Sequence, residues 1–326
     1  MKVISAPYEF NTDDLFVDLE GIFGQRLLLK CEGFNFAGSI KLKAARAMVD
    51  AAEQAGRLRP GYTIVESSSG NLGVALSIVA ASRGYRFICV TDSRCTLAAR
   101  QFMQTLGSEV HIVTAPHRVE GLLGARIERV RELCAENGDY VWINQYVNPS
   151  NWQAHYRSTG PEILSAFPDL AVLFVGAGTT GTLMGCARYL REHRPSAKIV
   201  AVDAFGSVTF GGPAAPRMIP GLGSGVRPKL LDDSLVDDVV IVPETDTIRS
   251  CRTMARSGFL FGGSTGTVVA GATTWLAEHS LAQAGPAVAV APDLGDRYLD
   301  TVYQDQWVEG LYGRDAVEGQ ARAASS

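Results

Sequence analysis

Two lysines, Lys41 and Lys43, stand directly after a glycine and a serine in GFNFAGSIKLKAA (residues 33–45), at the mouth of what reads as a helix. A lysine attacks a carbonyl only as the neutral amine, and positive potential at a helix N-terminus favours that form. Residues two apart point about 200° away from each other around a helix, so one of the pair can face a pocket and the other is expected in solvent.

Three turns supply possible partners. VLFVGAGTTGTLMG (172–185) reads as strand, glycine-rich turn and helix start, where free backbone N–H groups and the helix dipole would hold a phosphate. Gly176, Gly178 and Gly181 also satisfy GxGxxG, and Asp203 ends the next strand where a dinucleotide-binding fold places its ribose-binding acid. A nicotinamide dehydrogenase is therefore a rival, and a tight turn without a ligand is the bland alternative. IVESSSGNLGVAL (64–76) sets Ser67, Ser68, Ser69 and Asn71 at a second helix mouth, a cradle suited to a carboxylate, with simple capping by Ser69 as the alternative. LFGGSTGTVVAGA (260–272) adds Ser264 and Thr265. No GxSxG elbow is present and none of the five histidines has an evident partner, which argues against a serine hydrolase. Two anion cradles and a lysine suit an aldehyde cofactor that bears a phosphate.

Such residues need a scaffold. Short apolar runs, RLLLKC (26–31), YTIVE (62–66), RFICVT (86–91), EVHIV (109–113), YVWIN (140–144), AVLFVG (171–176), KIVAVD (198–203), DVVIV (238–242) and AVAVA (287–291), alternate with helical patterns. Nearly continuous Val, Ile and Leu strands between helices predict an α/β protein with parallel sheets covered on both faces. Ser39 reads as an N-cap with Gly56 as the stop, and a second helix reads as 179–194, closed by Pro195. The glycine- and proline-rich stretch 205–228 is too long to be a mere connection, and EGQARAASS reads as a frayed tail.

At 326 residues two domains are expected. A net charge of −4 argues against nucleic acid as a partner. Six scattered cysteines, with no CxxC and no histidine at ligand spacing, suggest neither disulfides nor a metal site. No apolar run reaches the ~20 residues needed to cross a bilayer, so the expectation is a cytoplasmic protein with no membrane partner.

From about residue 26 to residue 303, in order and spacing, the chain resembles the fold-type II pyridoxal phosphate enzymes of the cysteine synthase and cystathionine beta-synthase group. NFAGSIK resembles that group's Asn-x-x-x-Ser-x-Lys segment, ESSSGNLG its substrate-carboxylate loop, GAGTTGT its phosphate loop and FGGSTG the turn that gives a hydroxyl to the pyridine nitrogen. Leu42-Lys43 follows the lysine where the group has Asp-Arg, and Gly178 stands where a serine can stand. The resemblance implies Lys41 as the Schiff-base lysine and Asn71 as partner of the cofactor's 3′ oxygen. It implies Gly178, Thr179, Thr180, Gly181 and Thr182 around the cofactor phosphate, Ser264 at the ring nitrogen, and Ser68, Ser69, Gly70 and Gln145 around the substrate carboxylate. A hydroxyl rather than an aspartate at the ring nitrogen favours β-elimination over chemistry that needs a long-lived carbanion.

WINQYVNPSNWQAHY (142–156), VDAFGSVTFGG (202–212) and PDLGDRYLDTVYQDQW (292–307) look most like one branch of the group, the N-(2-amino-2-carboxyethyl)-L-glutamate synthases of 2,3-diaminopropionate biosynthesis. The branch implies β-replacement on O-phospho-L-serine by L-glutamate in a siderophore or antibiotic pathway. A cysteine synthase is the nearest alternative, and a non-catalytic regulator of the same fold has no need of Lys41. The group also implies a homodimer, a smaller unit at 36–146 with a mobile part near 85–135, and a larger cofactor-binding unit at 1–35 and 147–326. In EGLLGARIERVREL (120–133), Leu122, Leu123, Ile127, Val130 and Leu133 span an arc of about 140° that includes Arg126, with Arg129 at its edge and Arg131 opposite. A buried arginine needs an anion, either an internal carboxylate or, with Tyr146 as second donor, the departing phosphate.

Overall fold

The computed structural model describes residues 3–10, 12–118, 120–279 and 285–318, with the side chains of 317 and 318 left out; all of the expected tail but its first residue lies outside them. The described chain begins β1 (Phe16–Asp18), α1 (Glu20–Phe23), β2 (Leu28–Cys31), α2 (Lys41–Gln54), β3 (Thr63–Ser67), α3 (Asn71–Arg83), β4 (Arg86–Asp92) and α4 (Leu97–Thr105). It continues through β5 (Glu109–Val113), α5 (Gly121–Glu136), β6 (Tyr140–Trp142), α6 (Pro149–Arg157), α7 (Thr159–Ala166), β7 (Val172–Gly176), α8 (Gly181–His193) and β8 (Lys198–Ala204). After a long connection come β9 (Asp238–Val242), α9 (Glu244–Arg256), α10 (Gly263–Glu278), β10 (Ala287–Ala291), α11 (Asp305–Tyr312) and α12 (Asp315–Glu318).

Two sheets result. One has the order β5-β4-β3-β6 and is parallel throughout; the other runs β1-β2-β10-β7-β8-β9 and is parallel except at its edge. There β1 pairs antiparallel with β2, Val17 opposite Leu29, an edge strand added to the expected parallel sheet. A three-residue strand carries too little periodicity to be read from sequence. All five residues of β3 and of β10 are buried, as a strand covered on both faces requires. Leu76, Val79, Ile64 and Met48 belong to the core beside the small sheet, and Leu29, Phe174, Val268 and Trp275 to a core beside the large one. Each such side chain adds roughly 1.5–3 kcal/mol by leaving water.

Two helix ends differ from their sequence reading. Ser39 is not an N-cap: it bridges antiparallel to Asp293, its Oγ is buried without a hydrogen-bond partner among the described residues, and Ile40 caps α2. The helix expected at 179–194 runs Gly181–His193, because Thr180 takes a left-handed conformation with φ 66°. Parallel topology places the ends of β3, β6, β7 and β10 beside the N-termini of α2, α3, α8 and α10, and ligands of open α/β sheets gather at such strand ends. Among the described residues no helix is long and apolar enough to cross a membrane.

Candidate active site

A cavity of about 800 Å³ opens at these strand ends, and Lys41, Ser68, Ser69, Gly70, Asn71, Gln145, Tyr146, Arg126, Gly178, Thr179, Thr180, Gly181, Thr182 and Ser264 all line it. The residues singled out in sequence thus come together around one space. Lys41 is the first residue of α2, and enclosure by protein pulls its amine down to about 8, against the opposing charge of Asp293. Burial, rather than the helix terminus, is the main cause. Lys43 points elsewhere, as expected, but not into solvent. It bonds Glu32 at 2.9 Å and Glu162 at 2.8 Å, and Lys30, fully buried, completes the cluster at 3.4 Å from Glu32 and 3.1 Å from Glu162. Burial lowers the Lys43 amine, yet the two carboxylates more than offset it and hold its pKa above the usual 10.5.

The glycine turn after β7 is closed from behind. A Cβ at Gly181 would collide with the Asn151 amide, and one at Gly178 would sit 2.9 Å from the Gly221 carbonyl oxygen. Asn151 Nδ2 donates to Thr179 Oγ1 at 3.2 Å and to the Gln145 carbonyl at 2.8 Å. Thr182 Oγ1 lies 3.2 Å from His155 Nε2, whose ring is kept neutral by burial and by the Lys43 and Lys41 charges.

In the turn after β3, Ser68 rather than Ser69 caps the helix: its Oγ accepts from Gly70 N at 3.1 Å and Gly73 N at 2.9 Å. Gly70 has φ 152° with ψ −86°, a conformation side chains disfavour, so the turn needs glycine there. Asn71 donates to Asp293 Oδ2 at 3.1 Å and accepts from Arg297 at 2.8 Å. Gln145 Nε2 donates to the Ser67 carbonyl at 2.7 Å, and the Tyr146 hydroxyl lies 3.0 Å from Ser67 Oγ. Ser264, buried in the first turn of α10, presses on Gly221, where a Cβ would clash with its hydroxyl.

Arg126 is 5% exposed, as its place in the apolar arc implies, and of its expected partners the internal carboxylate is present. Its Nε lies 3.2 Å from Asp92, an internal ion pair, while it also lines the cavity and its Nη1 has no hydrogen-bond partner among the described residues. Asp92 is shared with Arg94, which bonds both its oxygens at 3.0 and 2.8 Å. Arg129 pairs with Glu132 on the surface, and Arg131, expected opposite the apolar arc, lies 6.0 Å over the Trp142 ring at the cavity wall.

Sequence reading missed the acids behind the site. Asp293 is fully buried and accepts from Asn71, Tyr298 and Thr265. Glu66, also fully buried, accepts from Trp142 Nε1 at 2.9 Å, Ser67 N at 2.8 Å and Gln145 N at 3.0 Å, and burial raises its pKa to about 7. A lone acid ending an apolar strand, as in IVES, is the only trace such a residue leaves in sequence. The dehydrogenase's acid, Asp203, is buried and accepts from its neighbour's Ala204 N at 2.9 Å.

A glycine turn that admits no side chain and a desolvated lysine on the same cavity fit a phosphorylated aldehyde, and the fold and site are those of a pyridoxal phosphate enzyme of fold type II. The family described as pyridoxal-phosphate dependent enzyme matches residues 16–293, and the chain belongs to it, which sets the nicotinamide reading aside. It is 39% identical over 311 residues to an N-(2-amino-2-carboxyethyl)-L-glutamate synthase of Cupriavidus metallidurans, covering 94% of this chain and 91% of that one. With the synthase of the same name from Ralstonia nicotianae it shares 41% identity over 299 residues, covering 91% and 87%. Among solved structures, the O-acetylserine dependent cystathionine beta-synthase of Helicobacter pylori superposes with TM-score 0.86 at 25% identity, covering 93% of this chain and all of that one. An O-ureido-L-serine synthase gives 0.83 at 33% identity, covering 95% and 96%.

Proposed function

We propose that this enzyme replaces the phosphate of O-phospho-L-serine by the amine of L-glutamate, giving N-(2-amino-2-carboxyethyl)-L-glutamate, a precursor of 2,3-diaminopropionate. The names of its relatives support the reaction, and the observation that carries the donor is Arg126, a buried guanidinium with an unsatisfied Nη1 on the wall of a cavity that also holds Lys41.

Lys41 would hold the cofactor's aldehyde covalently, Asn71 and Ser264 would meet the ring, and the turn 178–182 would take the phosphate. When bound, the cofactor supplies an electron sink that loosens the Cα proton and lets a β-substituent leave. With substrate bound, the Lys41 Nζ would take the Cα proton and later return it. For this an amine near pKa 8 suits better than one near 10.5. The substrate carboxylate would sit in the turn at Ser68, Ser69 and Gly70, with the Gln145 amide beside it. Arg126 and the Tyr146 hydroxyl stabilise the departing phosphate, which a leaving acetate would not require. The same reading divides the chain into a smaller unit, residues 36–146, and a larger unit, 1–35 and 147–326, with the part near 85–135 closing over the site.

Because Arg126 also pairs with Asp92, its truncation is read as a ratio. Arg126→Ala should lower kcat/KM for O-phosphoserine at least ~10-fold more than for O-acetylserine, about the worth of one charge-assisted contact. Equal losses for both donors would make Arg126 a structural partner of Asp92 and remove the support for phosphate as leaving group.

A further inference from the structure

The cavity is strongly cationic beyond the lysine. Arg94, Arg126, Arg131, Arg217, Arg227 and Lys229 line it, and the one carboxylate among the described lining residues is Glu120. Most of these cations are already engaged. Arg94 and Arg126 share Asp92, Arg131 lies over Trp142, and Arg227 reaches Asp233 and the Thr209 carbonyl. Lys229 is exposed at the rim.

Arg217 differs. It is half-buried, its guanidinium donates to the Gly206 carbonyl, and Asp203 and Glu244, the acids nearest it, form no ion pair with it among the described residues. Burial, together with the nearby charge of Arg94, lowers its pKa against the weaker opposing charges of Asp203 and Glu244. A half-buried guanidinium with no carboxylate in direct contact keeps donors free for an anion that the cavity brings to it. The loop is shaped to hold it: Gly223, with φ 76°, passes so close that a Cβ there would lie 2.9 Å from Arg217 Nε. The next two residues are pinned as well, Met218 N and Ile219 N both donating to Glu244 Oε1, at 2.8 and 2.6 Å. A long glycine- and proline-rich connection thereby delivers one rigidly held cation to the cavity.

We infer that Arg217 is the specificity-determining residue for the acceptor, binding the side-chain carboxylate of a dicarboxylic amino acid while its amine reaches the donor's β-carbon. The inference rests on the proposed reaction and adds the residue that selects glutamate. Arg126, already committed to Asp92 deeper in the wall, serves the leaving group, and Arg217 serves the incoming one. The planar fork of arginine suits a carboxylate better than lysine does.

The test uses the holoenzyme with saturating O-phosphoserine and compares wild type with Arg217→Gln and Arg217→Lys. KM for glutamate should rise at least ~10-fold in Arg217→Gln, about one lost charge-assisted contact, and less in Arg217→Lys. KM for glutamine as acceptor, which lacks the charge, should change little. Glutamate binding to the holoenzyme, followed by calorimetry, should weaken in step. Equal rises for glutamate and glutamine, or a glutamate KM unchanged in folded Arg217→Gln, would overturn the inference. Failure of wild type itself to use glutamate would instead defeat the reaction on which it rests.

Discussion

At Lys41 and Lys43 the same side chain has opposite fates within one helical turn. Lys41 faces the cavity with an amine lowered to about 8 by burial, whereas Lys43 is charged and locked between Glu32 and Glu162 with Lys30 beside them. Spacing alone showed that only one could serve the pocket, and the resemblance indicated which. That Lys43 is enclosed by two carboxylates was not legible, because they lie 11 and 119 residues away. The consequence is a separation of phenotypes. Lys41→Ala should abolish covalent cofactor retention and turnover with little effect on folding. Lys43→Ala leaves buried Glu32 and partly buried Glu162 with one lysine and should cost about 1–3 kcal/mol of stability in denaturant titration. In the protein that folds, the cofactor should still be linked to Lys41. A stable Lys43→Ala variant, or a cofactor linked to Lys43, would refute the division.

Elements were legible where they were long and apolar. Nine of the ten strands show in sequence because buried parallel strands read as Val, Ile and Leu runs, and β1 does not because three residues carry no period. Connections between elements were less legible, and Glu66 is the clearest example. It is the penultimate residue of β3 and ties that strand to the exit of β6 through Trp142 and Gln145, so the turn after β3 and Gln145 share one buried support. Its pKa is raised from 4.5 to about 7 by burial. A raised carboxyl pKa contributes stability that is complete below pH 4.5 and lost as pH rises through 7, by as much as about 3 kcal/mol. Glutamine mimics the protonated form. Glu66→Gln should therefore gain stability relative to wild type between pH 5 and about 8. Parallel stability curves would mean that the three N–H donors keep Glu66 ionised throughout.

The whole molecule sets two sheets around one cavity, and the order of its motifs along the chain carried that arrangement into the sequence. Motif order did not reveal Asp293, Glu66 or Arg217, because each works through a fold contact rather than a local pattern. A reaction that makes a hydrolysable intermediate calls for exclusion of water, which is the reason to expect residues near 85–135 to close when a carboxylate fills the turn at Ser68–Asn71. Hydrogen exchange in that span should slow on adding O-phosphoserine, and unchanged exchange would count against closure. The central claim is that the glutamate nitrogen ends on the carbon that carried phosphate. O-Phosphoserine labelled with ¹³C at its β-carbon, incubated with the holoenzyme and ¹⁵N-glutamate, tests it by magnetic resonance. The account predicts a one-bond ¹³C–¹⁵N coupling that grows in step with released phosphate. Phosphate released without that coupling, or coupling absent while added sulfide captures the labelled carbon as cysteine, would contradict it.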